Sequence, residues 1–133
     1  MRYLWFVVFL CYAIPAMARE VGVGKNAIYE VKVAQTEQEL RQGLMFVKEM
    51  PKNAGMWFDL RAYPGAVMWM KDTYIPLDML FIGCHFKVVD IKPDRKPLSL
   101  DKIETDKPFC YVLEINGGEA VKNQIKIGDD VLF

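Results

Sequence analysis

The sequence predicts a mainly β (α+β) fold, either a compact small β-barrel or a sandwich, with one or two short helices. The chain has 133 residues, which is a single-domain length. Short apolar runs alternate with turn-forming residues along most of it, as in proteins built from many short strands. Two short segments carry helical signals instead, so β layers with helical additions are the expected architecture.

The first 18 residues have the pattern of a cleavable signal peptide. Arg2 is followed by an uncharged apolar run at residues 4–14, and Ala16 and Ala18 give the small-x-small pattern of a cleavage site. The run is shorter than the roughly 20 residues of a spanning helix, although an uncleaved anchor is the alternative. We expect a signal peptide at 1–18, one domain at 19–133, a periplasmic or secreted protein, and no stable membrane span after cleavage.

The strand and helix signals begin at residues 28–34, where apolar and polar side chains alternate as in a half-buried strand. Thr36 and Glu39 then form a capping-box pattern, in which each side chain satisfies the backbone N–H of the other residue. A short helix is therefore predicted at residues 37–45, packed on the sheet.

The remaining elements follow the same logic, because apolar runs separated by turn formers are typical of strands. Residues 83–85 fit a hairpin loop, residues 93–108 a longer exposed connection, and residues 119–124 one helical turn after Gly117 and Gly118. Further strands are predicted at residues 56–58, 66–70, 79–82, 86–92, 109–115 and 130–133.

Cleavage after Ala18 would leave two cysteines, Cys84 and Cys110. An even number of cysteines in an exported chain favours a disulfide, and two separate buried thiols are the alternative. A catalytic cysteine is not expected, because the single histidine, His85, is adjacent to Cys84 and neighbouring strand residues point to opposite faces.

The charge balance and the missing cofactor motifs limit the kinds of molecule that the protein is expected to bind. The chain has 17 Lys and Arg against 17 Asp and Glu, and cleavage would remove only Arg2 from this balance. Because the chain has no excess of basic residues, its charge gives no indication that it binds nucleic acid or an anionic membrane surface. A phosphate-binding glycine loop, a Ser-His-Asp order and an HExxH helix are absent from the sequence, so no cofactor is predicted. The expected partner is an unknown small ligand or an envelope protein.

Several motifs occur in a fixed order along the chain, and together they resemble one family. They are GLMF at residues 43–46, GMWF at 55–58, WMKDTYIPLDMLFI at 69–82, YVLEI at 111–115 and IKIGD at 125–129. The series is similar to domain of unknown function 192, which implies a small, mostly β fold, commonly exported, without an established activity. Asp72 stands where that family usually has Asn, and Trp57 where it usually has Leu.

The stretch MWMKDTYIPLD, residues 68–78, contains candidate catalytic residues. Asp72 and Asp78 flank a proline corner, where their carboxylates could accept hydrogen bonds from backbone N–H groups that no strand partner reaches. This structural role is our preferred interpretation. Alternatively, Lys71 and the two carboxylates could supply an acid and a base beside Trp69, for hydrolysis of glycosidic or ester bonds in envelope or sugar substrates.

Glu114 is a further candidate, because it interrupts an apolar strand. It shares a face with Cys110 and Val112, so a sheet covered on both sides would bury its carboxylate. We expect a structural ion pair with Lys71, or a ring of backbone N–H groups around the carboxylate, and a catalytic acid is the alternative.

Aromatic and sulfur-containing side chains suggest two further kinds of site. Trp57, Trp69, Tyr74 and Met70 could line a groove for a partner or a small apolar ligand, although such residues mostly build cores. Met68 and Met70 with His85 are a weak candidate for a Cu(I) site, since soft thioethers suit that ion. A binding or accessory envelope protein is therefore the first hypothesis; a carboxylate-dependent hydrolase and a Cu(I) carrier are the alternatives.

Overall fold

A computed structural model describes residues 18–133, which fold around one seven-stranded sheet with two short helices. The helices are α1 (Glu37–Gln42) and α2 (Glu119–Lys122). The strands are β1 (Arg19–Val23), β2 (Ala27–Ala34), β3 (Ala54–Asp59), β4 (Leu77–Ile82), β5 (Val88–Arg95), β6 (Tyr111–Asn116) and β7 (Val131–Leu132). The mainly β prediction is confirmed. The predicted signal peptide, apart from Ala18, lies outside the described residues.

The strands are ordered β5-β4-β6-β3-β2-β1-β7 across the sheet. β2 and β3 are parallel, and the crossover between them contains α1; the other neighbouring pairs are antiparallel. The sheet curls, and its two edges approach each other where Lys87, just before β5, forms a bridge with Asp130, just before β7. The result is a curled half-barrel. Neither helix in residues 18–133 is long and apolar enough to cross a bilayer.

Hydrophobic side chains form two core clusters on the two faces of this sheet. On β6, Leu113 and Ile115 belong to the first cluster, whereas Val112 belongs to the second. Because side chains alternate along a strand, Glu114 points to the same side as Val112. Leu40 and Leu44, from α1 and the turn after it, pack against the second cluster. The Glu114 side of the sheet is therefore the side that the helix covers.

The helix begins as predicted and ends earlier. The Thr36–Glu39 capping box is present, with N–O distances of 3.2 Å and 3.1 Å. The last helical residue is Gln42, because Gly43 takes a positive φ of 49° as the C-cap. A Cβ at Gly43 would lie 3.1 Å from the Phe58 ring, so the chain turns close to the sheet at this point.

The strand prediction for residues 66–70 is wrong. This segment forms a single antiparallel bridge, from Met68 to Ile103, and crosses the face of the sheet instead of joining an edge. Conversely, β1 was not predicted. β5 also continues to Arg95 through Pro93, which an edge strand tolerates because one side of its backbone needs no partner.

A disulfide joins Cys84 and Cys110, and this part of the sequence prediction is confirmed. Cys84 lies in the turn after β4, and Cys110 directly precedes β6. The bridge therefore connects the β4–β5 hairpin to the start of β6, the strand next to β4 in the sheet.

Candidate functional site

A cleft of about 710 Å³ opens between α1 and the segment at residues 60–73. We call it the Glu114 cleft. Its polar lining consists of Glu37, Arg41, Gln42, Lys71, Thr73 and Glu114. Its remaining lining, apart from Gly43, is apolar or aromatic and consists of Leu40, Leu44, Phe58, Leu60, Tyr63, Pro64, Ala66, Val67, Met68 and Trp69. This volume and the mostly apolar wall are typical of small-molecule sites.

One wall of the cleft is built by α1 and the turn after it. The capping box fixes where the helix begins, and the Gly43 N–H donates to the Glu39 carbonyl at 2.9 Å where it ends. Leu40 in the helix and Leu44 in the turn after it both pack against the second core cluster of the sheet. A six-residue helix is marginal by itself, so packing of these leucines contributes much of its stability.

The opposite wall is the corner at residues 66–73, which backbone hydrogen bonds hold on both sides. The Asp72 carbonyl accepts from the Phe46 N–H at 2.8 Å, and the Thr73 carbonyl accepts from the Leu98 N–H at 3.0 Å. Asp72 itself takes a positive φ of 51°. The fastened corner leaves Trp69 47% exposed at the cleft.

Glu114 lies at the floor of the cleft, in the middle of β6. Its register partners are Met56 on β3 and Met79 on β4, and the residue is 4% exposed. Burial raises the pKa of the Glu114 carboxyl to about 8, and no charged or hydrogen-bonding neighbour offsets this rise. The carboxyl is therefore mostly protonated at pH 7.

The expected structural ion pair of Glu114 is absent from residues 18–133. No Lys or Arg nitrogen lies within 4.0 Å of its carboxylate in this part of the chain, and no backbone N–H contributes to its pKa. Lys71 lies instead over the Trp69 ring, with its Nζ 5.3 Å from the ring centroid. Glu114 thus presents an unpartnered carboxyl to the cleft.

The other charged groups of the cleft lie nearer to solvent. Arg41 donates to Glu37 at 2.6 Å, and both side chains are largely exposed. Lys71 is exposed and forms no salt bridge in the described part of the chain. With Glu114 protonated, the lining therefore carries one uncompensated positive charge.

Asp78 is fully buried away from the cleft, and its carboxylate accepts hydrogen bonds from backbone N–H groups, as the structural role predicted from the sequence requires. Its Oδ1 accepts from the backbone N–H groups of Asp94 at 2.7 Å and Gly118 at 3.1 Å, and its Oδ2 accepts from Ala120 at 2.8 Å. These bonds connect β4 to the end of β5 and to the start of α2. Neither Asp78 nor Asp72 lines the Glu114 cleft.

The aromatic and thioether candidates separate into core and surface residues. Trp57 and Met70 are fully buried, one in each core cluster, and neither lines the cleft. Tyr74 is exposed and lies edge-on to Phe46, with 6.1 Å between ring centroids, outside the cleft. Trp69 is the member of this set that faces the cleft.

The weak metal candidates are also spread over different environments. Met68 lines the cleft, Met70 is fully buried in the second core cluster, and His85 is exposed in the β4–β5 turn. In residues 18–133, no group of three or more His, Cys, Asp and Glu side chains has a metal-binding arrangement.

Sequence reasoning missed most of the cleft wall. Leu60, Pro64 and Val67 belong to a segment that was predicted to be partly strand, so their approach to α1 was not foreseen. Glu114 was the cleft residue that the sequence identified most clearly, because a carboxylate in an apolar strand either has a bonding partner in the protein or has a functional role.

Comparison with solved structures identifies two similar chains. One, from Novosphingobium aromaticivorans and described as a protein of unknown function, is 35% identical with a TM-score of 0.83, over 87% of this chain and 85% of that chain. The other, from Sinorhizobium meliloti and described as a candidate transcription regulator, is 33% identical with a TM-score of 0.81, over 85% of this chain and 91% of that chain.

The search among curated proteins found no match. The sequence profile of one family, described as uncharacterised ACR, matches residues 19–133, which is nearly all of the chain and includes every element of the sheet. The chain therefore belongs to the domain of unknown function 192 family.

Proposed function

We propose that this protein is a non-catalytic binding domain of the cell envelope, whose Glu114 cleft holds a small ligand with an apolar body. The observation that carries this proposal is the unpartnered Glu114 carboxyl at the floor of a cleft of about 710 Å³. The residue is 4% exposed, and a ligand that bonds to its carboxyl would supply the hydrogen bond that the described part of the protein does not.

The cleft wall supports a mainly apolar occupant. Leu40, Leu44 and Phe58 line the cleft and belong to or pack against the same core cluster, and Trp69 lines the cleft from the segment opposite. Burial of about 200 Å² of apolar ligand surface would contribute on the order of 5 kcal/mol before the entropy of association is subtracted. Even before that subtraction, about 5 kcal/mol corresponds to a dissociation constant of about 0.2 mM, so we expect a small ligand to bind with millimolar affinity.

Binding is better supported than hydrolysis. A carboxylate-dependent hydrolase needs a second group placed beside the acid, and Glu37 is already paired with Arg41 at the exposed end of the cleft. Asp72 and Asp78 lie outside the cleft. The balanced charge of the chain also gives no support to nucleic-acid binding, so the description of the Sinorhizobium protein is not extended to this one.

Placement in the envelope is part of the proposal. The first 18 residues have the features of a signal peptide, and the Cys84–Cys110 disulfide is the kind of bond that persists in an oxidising compartment. Expression of the full chain in a Gram-negative host, followed by mass spectrometry of the periplasmic fraction, should find an N-terminus at Arg19. Retention of the intact chain in the cytoplasm would contradict export.

The binding proposal can be tested with an aromatic probe. Residues 19–133, labelled with ¹⁵N, would be titrated with 2-acetylnaphthalene, and the amide shifts should concentrate at Leu44, Val67 and Trp69. Ala66→Trp places a large side chain in the cleft and should abolish these shifts. Val121→Trp, at an exposed position of α2, is the matched control and should bind normally. Shifts scattered over the surface, or unchanged binding by Ala66→Trp, would contradict the proposal.

A further inference from the structure

The floor of the Glu114 cleft specifies more than an apolar ligand. The carboxyl of Glu114 is flanked on the sheet by Met56 and Met79, neither of which offers a hydrogen-bonding partner of ordinary strength. The residue is 4% exposed and lines the cleft, so the partner that its carboxyl lacks within the protein must come from the cleft side. The chemistry of that partner follows from the proton on Glu114 and from the charges around it.

Besides Glu114 itself, the charged and titratable groups facing the cleft come from two places. From α1 they are Glu37 and Arg41, which are paired with each other at 2.6 Å. From the segment opposite they are the Tyr63 phenol and Lys71, whose ammonium lies over Trp69. The neighbouring strands contribute no charge beside Glu114. The one charge that is not compensated within the lining is therefore the positive charge of Lys71.

A cationic ligand end fits this floor poorly. An amine would have to lose its hydration, displace the proton from Glu114 and approach through a mouth that already carries a positive charge. Both members of the resulting ion pair would be buried among methionine and aromatic side chains.

An anionic ligand end also fits poorly at this depth. A carboxylate would be buried against another carboxyl group, and the fixed cations of the cleft, Arg41 and Lys71, lie towards solvent. An uncharged acceptor requires neither the loss of the Glu114 proton nor the burial of a ligand charge, because it can accept a hydrogen bond from the O–H of protonated Glu114.

We infer that the ligand of the Glu114 cleft carries an uncharged hydrogen-bond acceptor, such as a ketone, ester or amide carbonyl, that receives a hydrogen bond from the Glu114 carboxyl. This inference rests on the proposed binding function and names the class of its ligand. The apolar body of the ligand then lies along Leu40, Leu44 and Phe58, with its carbonyl directed to the floor.

The test compares three probes with one naphthalene body. They are 2-acetylnaphthalene, which has a carbonyl; 2-isopropenylnaphthalene, in which a methylene group replaces the carbonyl oxygen; and 2-naphthylmethylamine, which is cationic. Dissociation constants at pH 6.5 would be measured by ¹⁵N–¹H NMR titration of residues 19–133. The ketone should bind about tenfold more tightly than the alkene, and the amine should bind least tightly.

Two variants and a change of pH examine the role of Glu114 itself. Glu114→Leu should bind the ketone and the alkene equally, because the donor is lost while the apolar wall remains. Glu114→Gln retains an N–H donor and should keep the preference for the ketone. At pH 9.5 the wild-type carboxyl is ionised, so the preference should disappear in the wild type and persist in Glu114→Gln.

The outcomes of these titrations distinguish the binding function of the Glu114 cleft from the inferred class of its ligand. If none of the three probes binds in the cleft, the binding function itself is contradicted. If the probes bind there and the wild type shows equal affinity for ketone and alkene, or prefers the amine at pH 6.5, the binding function stands and the inferred ligand class is wrong. A ketone preference that survives in Glu114→Leu would likewise overturn the inference.

Discussion

Asp78 and Glu114 are buried carboxyl groups on the adjacent strands β4 and β6, and they point to opposite faces of the sheet. Asp78 accepts three backbone N–H groups, whereas Glu114 has no such donor among the described residues. Burial is thus compensated at one position and not at the other. The first carboxyl organises the fold, and the second is available to a ligand.

Asp78→Asn should destabilise the domain. The amide retains one acceptor oxygen and places an NH₂ group where the other oxygen accepted, so at least one of the three buried or partly buried N–H groups loses its partner. The expected loss in the free energy of unfolding is about 1–3 kcal/mol, measured by urea denaturation. Asp106→Asn, at an exposed position, is the matched control and should change stability little. Equal effects at the two positions would show that the three hydrogen bonds contribute nothing.

Glu114→Gln should alter how stability depends on pH. Because the folded pKa is raised from 4.5 to about 8, the unfolded chain releases this proton within that range while the folded chain retains it. The Glu114 contribution to stability therefore falls as the pH rises from about 4.5 to about 8, and becomes constant above this range. Gln does not titrate, so the variant should gain stability relative to wild type across the same range.

The measurement for Glu114→Gln is a series of urea denaturations between pH 4 and pH 9. The difference between variant and wild type isolates Glu114, because the other titrating groups are common to both chains. A difference that stays constant over this range would mean that the Glu114 pKa is not raised. Glu104→Gln, at an exposed position, supplies the control and should follow the wild type at every pH.

The parts of the fold that the sequence predicted are those fixed by local chemistry. The capping box of Thr36 and Glu39 is a contact between neighbours in the chain, so it can be read directly. The apolar runs at β3, β4 and β6 also identify strands without knowledge of their partners. By contrast, the segment at residues 66–70 has the composition of a strand, yet its neighbour in the fold is the distant Ile103. Nothing local indicates that it forms one bridge instead of a ladder.

Only part of the candidate site was predictable from the sequence, because only part of it depends on local chemistry. Glu114 was identifiable because a charged residue in an apolar strand is expensive wherever the strand lies. Across residues 18–133, Glu114 lacks an ion-pair partner because the Lys71 side chain lies over Trp69. The direction of Lys71 follows from the corner at residues 66–73, which the backbone N–H groups of Phe46 and Leu98 hold from other parts of the chain. Trp57 and Trp69 are likewise indistinguishable by type, although one is in the core and the other faces the cleft.

Removal of the disulfide should lower stability without changing the fold. The double variant Cys84→Ala/Cys110→Ala frees a loop with a sequence separation of 26 residues. On the chain-entropy account the free energy of unfolding should fall by about 3.5 kcal/mol. Wild-type protein in reductant should unfold at the same urea concentration as the variant. If the variant and the oxidised wild type unfold together, the bridge does not constrain the unfolded chain.

Substitutions at Asp72 should follow backbone conformation more than charge. Its φ of 51° lies in the left-handed region, which Asn and Asp tolerate better than β-branched residues. Asp72→Asn should therefore leave the melting temperature nearly unchanged, whereas Asp72→Val should lower stability by about 1–2 kcal/mol. Asp106→Val is the control, because Asp106 is exposed and has no positive φ. Should Asp72→Asn prove as damaging as Asp72→Val, the carboxylate itself, and not the left-handed turn, would be the feature that this corner requires.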